Sequence, residues 1–174
     1  QLRTPLTQYS RAGVPYGLDN GCFKRFKQKT WEKMLDEARE HQPKFVCMPD
    51  IVCDAVRTFD LFDAFEKKTE GLPRALVLQD GIGQHRINWE KLDAVFVGGS
   101  DNFKISQEAF NTCRTAKMLG KWVHVGRVNT APRVKNWLGL ADSIDGSGIS
   151  KYDHMLENVL EAIHGTSTQC EIDI

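Results

Sequence analysis

The stretch from Lys44 to Gly81 decides the fold. It opens with Lys44-Phe45-Val46-Cys47-Met48, breaks at Pro49-Asp50, and continues from about Ala55 to Lys68 with Val56, Phe59, Phe62 and Phe65 at helical spacing. It closes with Arg74-Ala75-Leu76-Val77-Leu78 running into Gln79-Asp80-Gly81. Two short apolar runs rich in β-branched residues, separated by a helix-length amphipathic segment, predict a parallel strand-helix-strand unit. The same alternation extends both ways. Upstream, Val14 to Leu18 reads as a strand ending at Asp19-Asn20-Gly21, followed by a helix from Thr30 to His41 with Thr30 as N-cap and Trp31, Met34, Leu35 and Ala38 on one face.

Downstream, a weaker helical stretch around Trp89 to Leu92 precedes a strand at Ala94 to Val97, which ends in Gly98-Gly99-Ser100-Asp101. Ser106 to Leu119 reads as a helix with Gly120 as its C′ residue, and Lys121 to Val125 as a strand ending in Gly126-Arg127. A helix from Pro132 to Leu138, a short strand at Ser143-Ile144 ending in Asp145-Gly146-Ser147-Gly148, and a helix from Met155 to His164 complete the pattern. These units predict an α/β chain. The preferred form is a (β/α)8 TIM-type barrel, trimmed or missing its first strand, with an open doubly wound sheet as the alternative. Residues 1–165 are expected to form one domain and residues 166–174 a loose polar tail.

Composition narrows the functional classes. The 174 residues carry 23 lysines and arginines against 23 aspartates and glutamates, so no overall field draws the chain to a polyanion, and any such partner needs a local basic patch. The five cysteines form no C-x-x-C pair and have no spaced histidine pair, the pattern of reduced thiols in a cytoplasmic protein. No apolar stretch approaches the roughly 20 residues of a membrane span.

The predicted strands end one after another in polar residues beside glycine or proline: Asp19, Asp50, Gln79 with Asp80, Ser100 with Asp101, Arg127 and Asp145. In either α/β architecture these ends share a rim. Turn formation explains any one of them, since Asp and Gly favour turns, but explains the succession less well. Carboxylates gathered on one rim can be driven apart in pKa, which suits glycosidic chemistry with one carboxylate as nucleophile and another as proton donor and acceptor. Metal binding is the competing use of the same groups.

These strand ends carry a resemblance. Leu18-Asp19-Asn20-Gly21-Cys22-Phe23 is similar to the aspartate-Ser-Gly-Gly-aromatic motif of the tRNA-guanine transglycosylases, and Asp142-Ser143-Ile144-Asp145 to their D-x-F-D motif. Pro49-Asp50 lies where that family keeps a base-reading aspartate. Leu78-Gln79-Asp80-Gly81 resembles its Q-G-G segment, Val97-Gly98-Gly99-Ser100 its glycine loop, and His124-Val125-Gly126-Arg127 its M-G-V-G strand end. Within the superfamily the chain looks most like the deazapurine DNA transglycosylases of phage and bacterial DNA-modification systems.

The resemblance implies that Asp145 is the nucleophile, Asp19 the general acid and base, and Asp50 and Gln79 the readers of a guanine or 7-deazaguanine edge. It further implies that the Gly98-Gly99 backbone lies close to the base and that Phe23 or Tyr16 supplies an aromatic platform. The partners implied are DNA at guanine sites and a free 7-deazaguanine base, with no cofactor and no metal. RNA or a nucleoside as substrate, a non-catalytic nucleic-acid-binding subunit needing a partner protein, and a barrel binding a small phosphorylated metabolite are the alternatives. The chain departs from the tRNA enzymes in lacking a match to their zinc subdomain and in having Asn20 and Cys22 where they have serine and glycine.

Lys24, Arg25, Lys27 and Lys29 after the Asp19 loop, and Arg127, Arg133, Lys135 and Lys151 towards the Asp145 end, are candidates for phosphates flanking an extruded nucleotide, with a solvated surface as the plain alternative. His124, flanked by Val123 and Val125, reads first as a packed histidine and second as a proton shuttle. Trp31, Trp89, Trp122 and Trp137 read as packing residues, and Gly81-Ile82-Gly83 is too short for a dinucleotide fingerprint.

Overall fold

A computed structural model describes residues 1–6 and 13–165, so the tail expected from 166 to 174 lies outside the described residues. The chain is α/β; the described residues hold seven strands with helices between successive ones from β2 onward, and every described pairing between strands is parallel. It divides into two compact units, Gln1–Val123 and His124–Ile174.

In the first unit the strands are β1 (Leu2–Arg3), β2 (Gly17–Leu18), β3 (Phe45–Cys47), β4 (Arg74–Leu78) and β5 (Ala94–Val97), adjacent in sequence order. β1 was not anticipated: it is a two-residue strand with no apolar run to announce it, and it precedes the strand expected to come first. β2 is shorter than the Val14–Leu18 reading, with Val14 and Pro15 exposed. Sequential parallel neighbours joined by right-handed crossovers place their helices on one face of the sheet, and no reversal of strand order occurs across these five strands.

Side-chain alternation then sorts the sheet into two faces. On the helix side, Leu18 and Val46 pack against Trp31, Met34, Leu35 and Ala38 of α1 (Gln28–Glu40). Phe26, Trp31 and Phe65 meet edge-on at centroid distances of 5.6 to 5.8 Å, which ties α1 to the end of α2 (Ala55–Phe65). On the opposite face Phe45, Cys47, Ala75, Val77 and Ala94 form a second cluster with Leu2, Phe96 and Trp122. Gly17 leaves the room that the Phe45 ring fills, since a Cβ there would overlap the ring.

Several boundaries differ from the sequence reading for local reasons. α1 starts at Gln28 behind Lys27 with no side-chain cap, so Thr30 is inside the helix rather than its N-cap. α2 tightens into a 3₁₀ turn over Glu66–Thr69, and the stretch at Trp89–Lys91 is a single 3₁₀ turn, too short to bury an apolar stripe. α3 (Gln107–Met118) begins as expected at Ser106, whose hydroxyl accepts from the Ala109 N–H at 3.1 Å, and Gly120 adopts φ +70° after it. Trp31 and Trp137 are fully packed, while Trp89 and Trp122 are partly exposed.

The second unit holds β7 (Ser143–Ile144) paired with the end of β6 (Trp122–Val125), in the register His124 opposite Ser143 and Val125 opposite Ile144. α4 (Ala131–Lys135) and α5 (Asp153–His164) pack on each other. Among the described residues no helix is long and apolar enough to cross a membrane.

Candidate active site

Residue parity explains why polar groups gather at the strand ends of the first unit. The apolar face carries Gly17 on β2, Ala75 and Val77 on β4, and Ala94 and Phe96 on β5; one step further along the same face come Asp19, Gln79 and Gly98. The Asp19 N–H donates to the Arg3 carbonyl at 2.7 Å, which extends the β1–β2 ladder to the end of the strand and fixes the backbone that carries its partly buried side chain.

Asp50 is the centre of a buried cluster. Its carboxylate accepts from Asn20 Nδ2 at 2.7 Å on Oδ1 and from Gln79 Nε2 at 2.6 Å on Oδ2. Asn20 is itself fixed: its amide donates to the Met48 carbonyl at 2.6 Å and its Oδ1 accepts from the Cys22 N–H at 2.7 Å. The Gln79 Oε1 accepts from the N–H of Cys53, which sits at φ +61°, at 2.8 Å. Asn20, Asp50 and Gln79 are 2%, 7% and 1% exposed, so solvent contributes little to their bonding. Burial pushes the Asp50 carboxyl above the ordinary carboxylate range, against the opposing hydrogen bonds of Asn20, Cys22 and Gln79.

Around this cluster the loops are tightly filled. A Cβ on Gly98 would come within 2.9 Å of Gln79 Nε2 and 2.8 Å of Val77 Cγ1, so the absence of a side chain there is what seats the Gln79 amide. Gly99, at φ +68°, has Phe103 Cδ1 and Asp80 Oδ2 at 2.6 and 2.8 Å from its Cβ position. The space a side chain would take at Gly99 is filled by Phe103 and Asp80, so this position takes no Cβ. Asp80 accepts from the Ser100 hydroxyl at 2.6 Å and its N–H at 2.9 Å. Burial, the largest single influence, would lift Asp80, but the Ser100 bonds together with those from its own backbone and from Cys53 outweigh it and hold the carboxyl below the ordinary range. Burial also pushes the Cys22 thiol up to about 12, which disqualifies it as a thiolate nucleophile at neutral pH.

In the second unit Asp145 closes β7, two residues beyond Ser143 on the same face. Its Oδ2 lies 3.0 Å from His124 Nε2, and its Oδ1 accepts from the Arg127 N–H at 3.2 Å. His124 Nδ1 lies 2.8 Å from Ser143 Oγ, so Ser143, His124 and Asp145 form one chain of hydrogen bonds. The His124 side chain is 4% exposed and that of Asp145 23%, which leaves the carboxylate as the better exposed of the pair. Asn129 Oδ1 accepts from the Gly148 N–H at 2.7 Å and pins the loop after Asp145.

Of the residues expected at a rim, the structure joins Asp50 with Gln79, Asp80 with Ser100, and Asp145 with the Arg127 N–H. Phe23 is 62% exposed, and Lys24, Arg25, Arg127 and Lys151 are exposed as well. Tyr16 is corrected: it precedes β2, at the opposite end of the strand, and its hydroxyl donates to the His41 carbonyl at 2.5 Å, so it is no platform for a base. Asn20 and Ser143 were not anticipated as members of the site. Asn20 was visible only as a departure from a motif; its position next to a strand-end aspartate was the available signal. Among the described residues no group of three or more His, Cys, Asp or Glu is arranged to hold a metal ion. The chain matches no known family model, and no curated protein resembles it in sequence.

Proposed function

We propose that the chain is a base-exchange transglycosylase that replaces guanine in DNA with a 7-deazaguanine through a covalent aspartyl-sugar intermediate. The observation that carries this reading is the buried array Asn20–Asp50–Gln79. A guanine edge offers two adjacent N–H donors and a carbonyl acceptor. The Asp50 carboxylate offers acceptor lone pairs, and the Gln79 amide keeps one N–H beyond the one it gives Asp50. Both are held by bonds that cannot swivel, and a site built to bond such groups rejects bases that lack them.

In this reading Asp145 attacks the anomeric carbon as the bond to guanine breaks, and Asp19 supplies the proton that the departing base takes up and removes the one that the entering base gives up. The sugar-base bond is exchanged for a bond of similar energy, so no cofactor is required. Exposed Lys24, Arg25, Arg127 and Lys151 meet phosphates, and Phe23 stacks on an extruded base. A (β/α)8-type barrel is the architecture we infer. Its support is the unreversed order of β1 to β5 and the apolar face opposite the helices, which buries Phe45 and Val77.

The test is incorporation of labelled guanine into duplex DNA, single-stranded DNA and tRNA, comparing the wild type with Asp145→Asn and Asp50→Asn. Label entering DNA and lost in Asp145→Asn is the expected result. Label entering tRNA alone would move the substrate to RNA, and label entering no polymer would overturn the exchange reading in favour of a non-catalytic binding role.

A further inference from the structure

The exchange reading gives His124 no task, yet its ring touches the proposed nucleophile. We infer that His124 is a positioning residue that donates Nε2–H to Asp145 Oδ2 and thereby speeds release of the sugar from the covalent intermediate. This rests on the exchange reading for Asp145 and adds the control of that group by its neighbour.

The tautomer follows from bonding rules. An ionised carboxylate only accepts, so the nitrogen 3.0 Å from Asp145 Oδ2 carries a hydrogen. Nδ1 then faces Ser143 Oγ at 2.8 Å, and a serine hydroxyl can donate to a neutral ring or accept from a protonated one. Ser143 and Asp145 hold the ring from both nitrogens, and the 4% exposure of the His124 side chain removes water as a competing partner. The arrangement has the members of a Ser-His-Asp hydrolase triad but the wrong end outward. Ser143 lies within the strand, about 6.6 Å of rise before Asp145, and Asp145 stands at the strand's carboxyl end.

The consequence appears in how the two half-reactions divide. In the first, an electron pair from Asp145 Oδ1 forms the bond to the anomeric carbon while the bond to the guanine nitrogen breaks and its pair leaves with the base. The carboxylate becomes a neutral ester whose carbonyl oxygen is Oδ2. In the second, the entering base forms the new bond, the ester bond breaks and Asp145 regains its charge. A hydrogen bond to a carboxylate is roughly twice as strong as one to a neutral carbonyl, so the His124 N–H favours the free carboxylate over the ester. It lowers the standing amount of adduct and assists the second half-reaction, in which Asp145 is the leaving group.

The experiment uses the whole chain and the guanine-containing polymer that the wild type labels, with denaturant quenching to count protein-polymer adduct. Adduct formation is followed first, and its decay is then followed after a chase of unlabelled guanine. His124→Leu should lower the ratio of decay rate to formation rate by about tenfold or more, so that adduct accumulates, and His124→Gln, which keeps an N–H at the corresponding position, should restore most of the ratio. A merely structural lesion would slow both steps together and leave the ratio unchanged, which overturns the inference while leaving the exchange reading intact. Absence of adduct in the wild type with every polymer overturns both. The ¹⁵N shifts of the His124 ring in the wild type supply a readout independent of turnover: hydrogen on Nε2 is expected, and a ring carrying its only hydrogen on Nδ1 sinks the proposal.

Discussion

Replacing Gln79 with methionine removes a donor and an acceptor from the Asp50 cluster while keeping a side chain of similar length. Gln79 is 1% exposed, so water is poorly placed to substitute. The bond to Asp50 Oδ2 at 2.6 Å is charge-assisted and is worth about 1.5–3 kcal/mol; the Cys53 N–H bond at 2.8 Å adds about 1 kcal/mol. At neutral pH the variant should therefore lose about 2.5–4 kcal/mol. The loss depends on pH with a definite sign. Burial raises Asp50 above the unfolded value of 3.8 in the wild type, and losing the Gln79 N–H raises it further. A carboxyl raised on folding contributes stability that is present below its unfolded value and lost as pH rises through its folded value. With the folded value higher in the variant, more is lost, so the cost of the substitution grows from about 2 kcal/mol in acid, where both bonds are neutral, to its full size near neutrality. Urea melts of both proteins across the acid-to-neutral range measure this growth, and in an Asp50→Asn background it should vanish. A cost that stays constant across pH would refute the claim that Gln79 stabilises an ionised Asp50.

Gly98→Ala should destabilise by about 1–3 kcal/mol, because its Cβ meets Val77 Cγ1 at 2.8 Å and displaces the Gln79 amide; thermal melting checks it. Alkylation at neutral pH followed by peptide mapping should modify exposed Cys53 well before Cys22, whose thiol burial pushes up to about 12, and equal rates would contradict the packing around Asp50. Ser100→Ala removes the 2.6 Å bond that helps hold Asp80 low, so it should cost about 1 kcal/mol at neutral pH and less as pH falls through the Asp80 value, because a depressed carboxyl loses its contribution on protonation. Denaturant melts at two pH values separate that outcome from a pH-independent loss.

The legible parts of this chain are those where one local rule acts alone. Ala94–Val97 and Arg74–Leu78 were bounded correctly because continuous apolar runs end at glycine or at a polar turn, and α3 because Ser106 and Gly120 mark both of its ends. β1 was hidden because two residues carry no periodicity; its identity depends on pairing with β2 far along the sequence. The strand-end aspartates were legible as residues, but their partners were not. Nothing local in the sequence announces that Asn20 reaches Met48 and Asp50, or that His124 faces Ser143 and Asp145, since those bonds depend on strand register. Tyr16 was misplaced for the same reason: a strand shortened to Gly17–Leu18 leaves Tyr16 outside it, where its hydroxyl finds the end of α1.

Local surroundings also suit the two carboxylates to the different tasks proposed for them. A group that reads a base must hold its acceptors at fixed positions, and it can be buried because it forms no covalent bond. Asp50 meets that need, with an amide on each oxygen and 7% exposure. A nucleophile must reach a carbon, so it needs an exposed oxygen and a partner that does not compete for the attacking pair. Asp145 has a side chain 23% exposed, an imidazole on Oδ2, and on Oδ1 the longer Arg127 N–H bond. Exchanging the two environments would leave a reader that swivels and a nucleophile held below the surface. The roles proposed for Asp50 and Asp145 therefore rest on where each strand ends relative to its neighbours, a property that residue type alone does not carry.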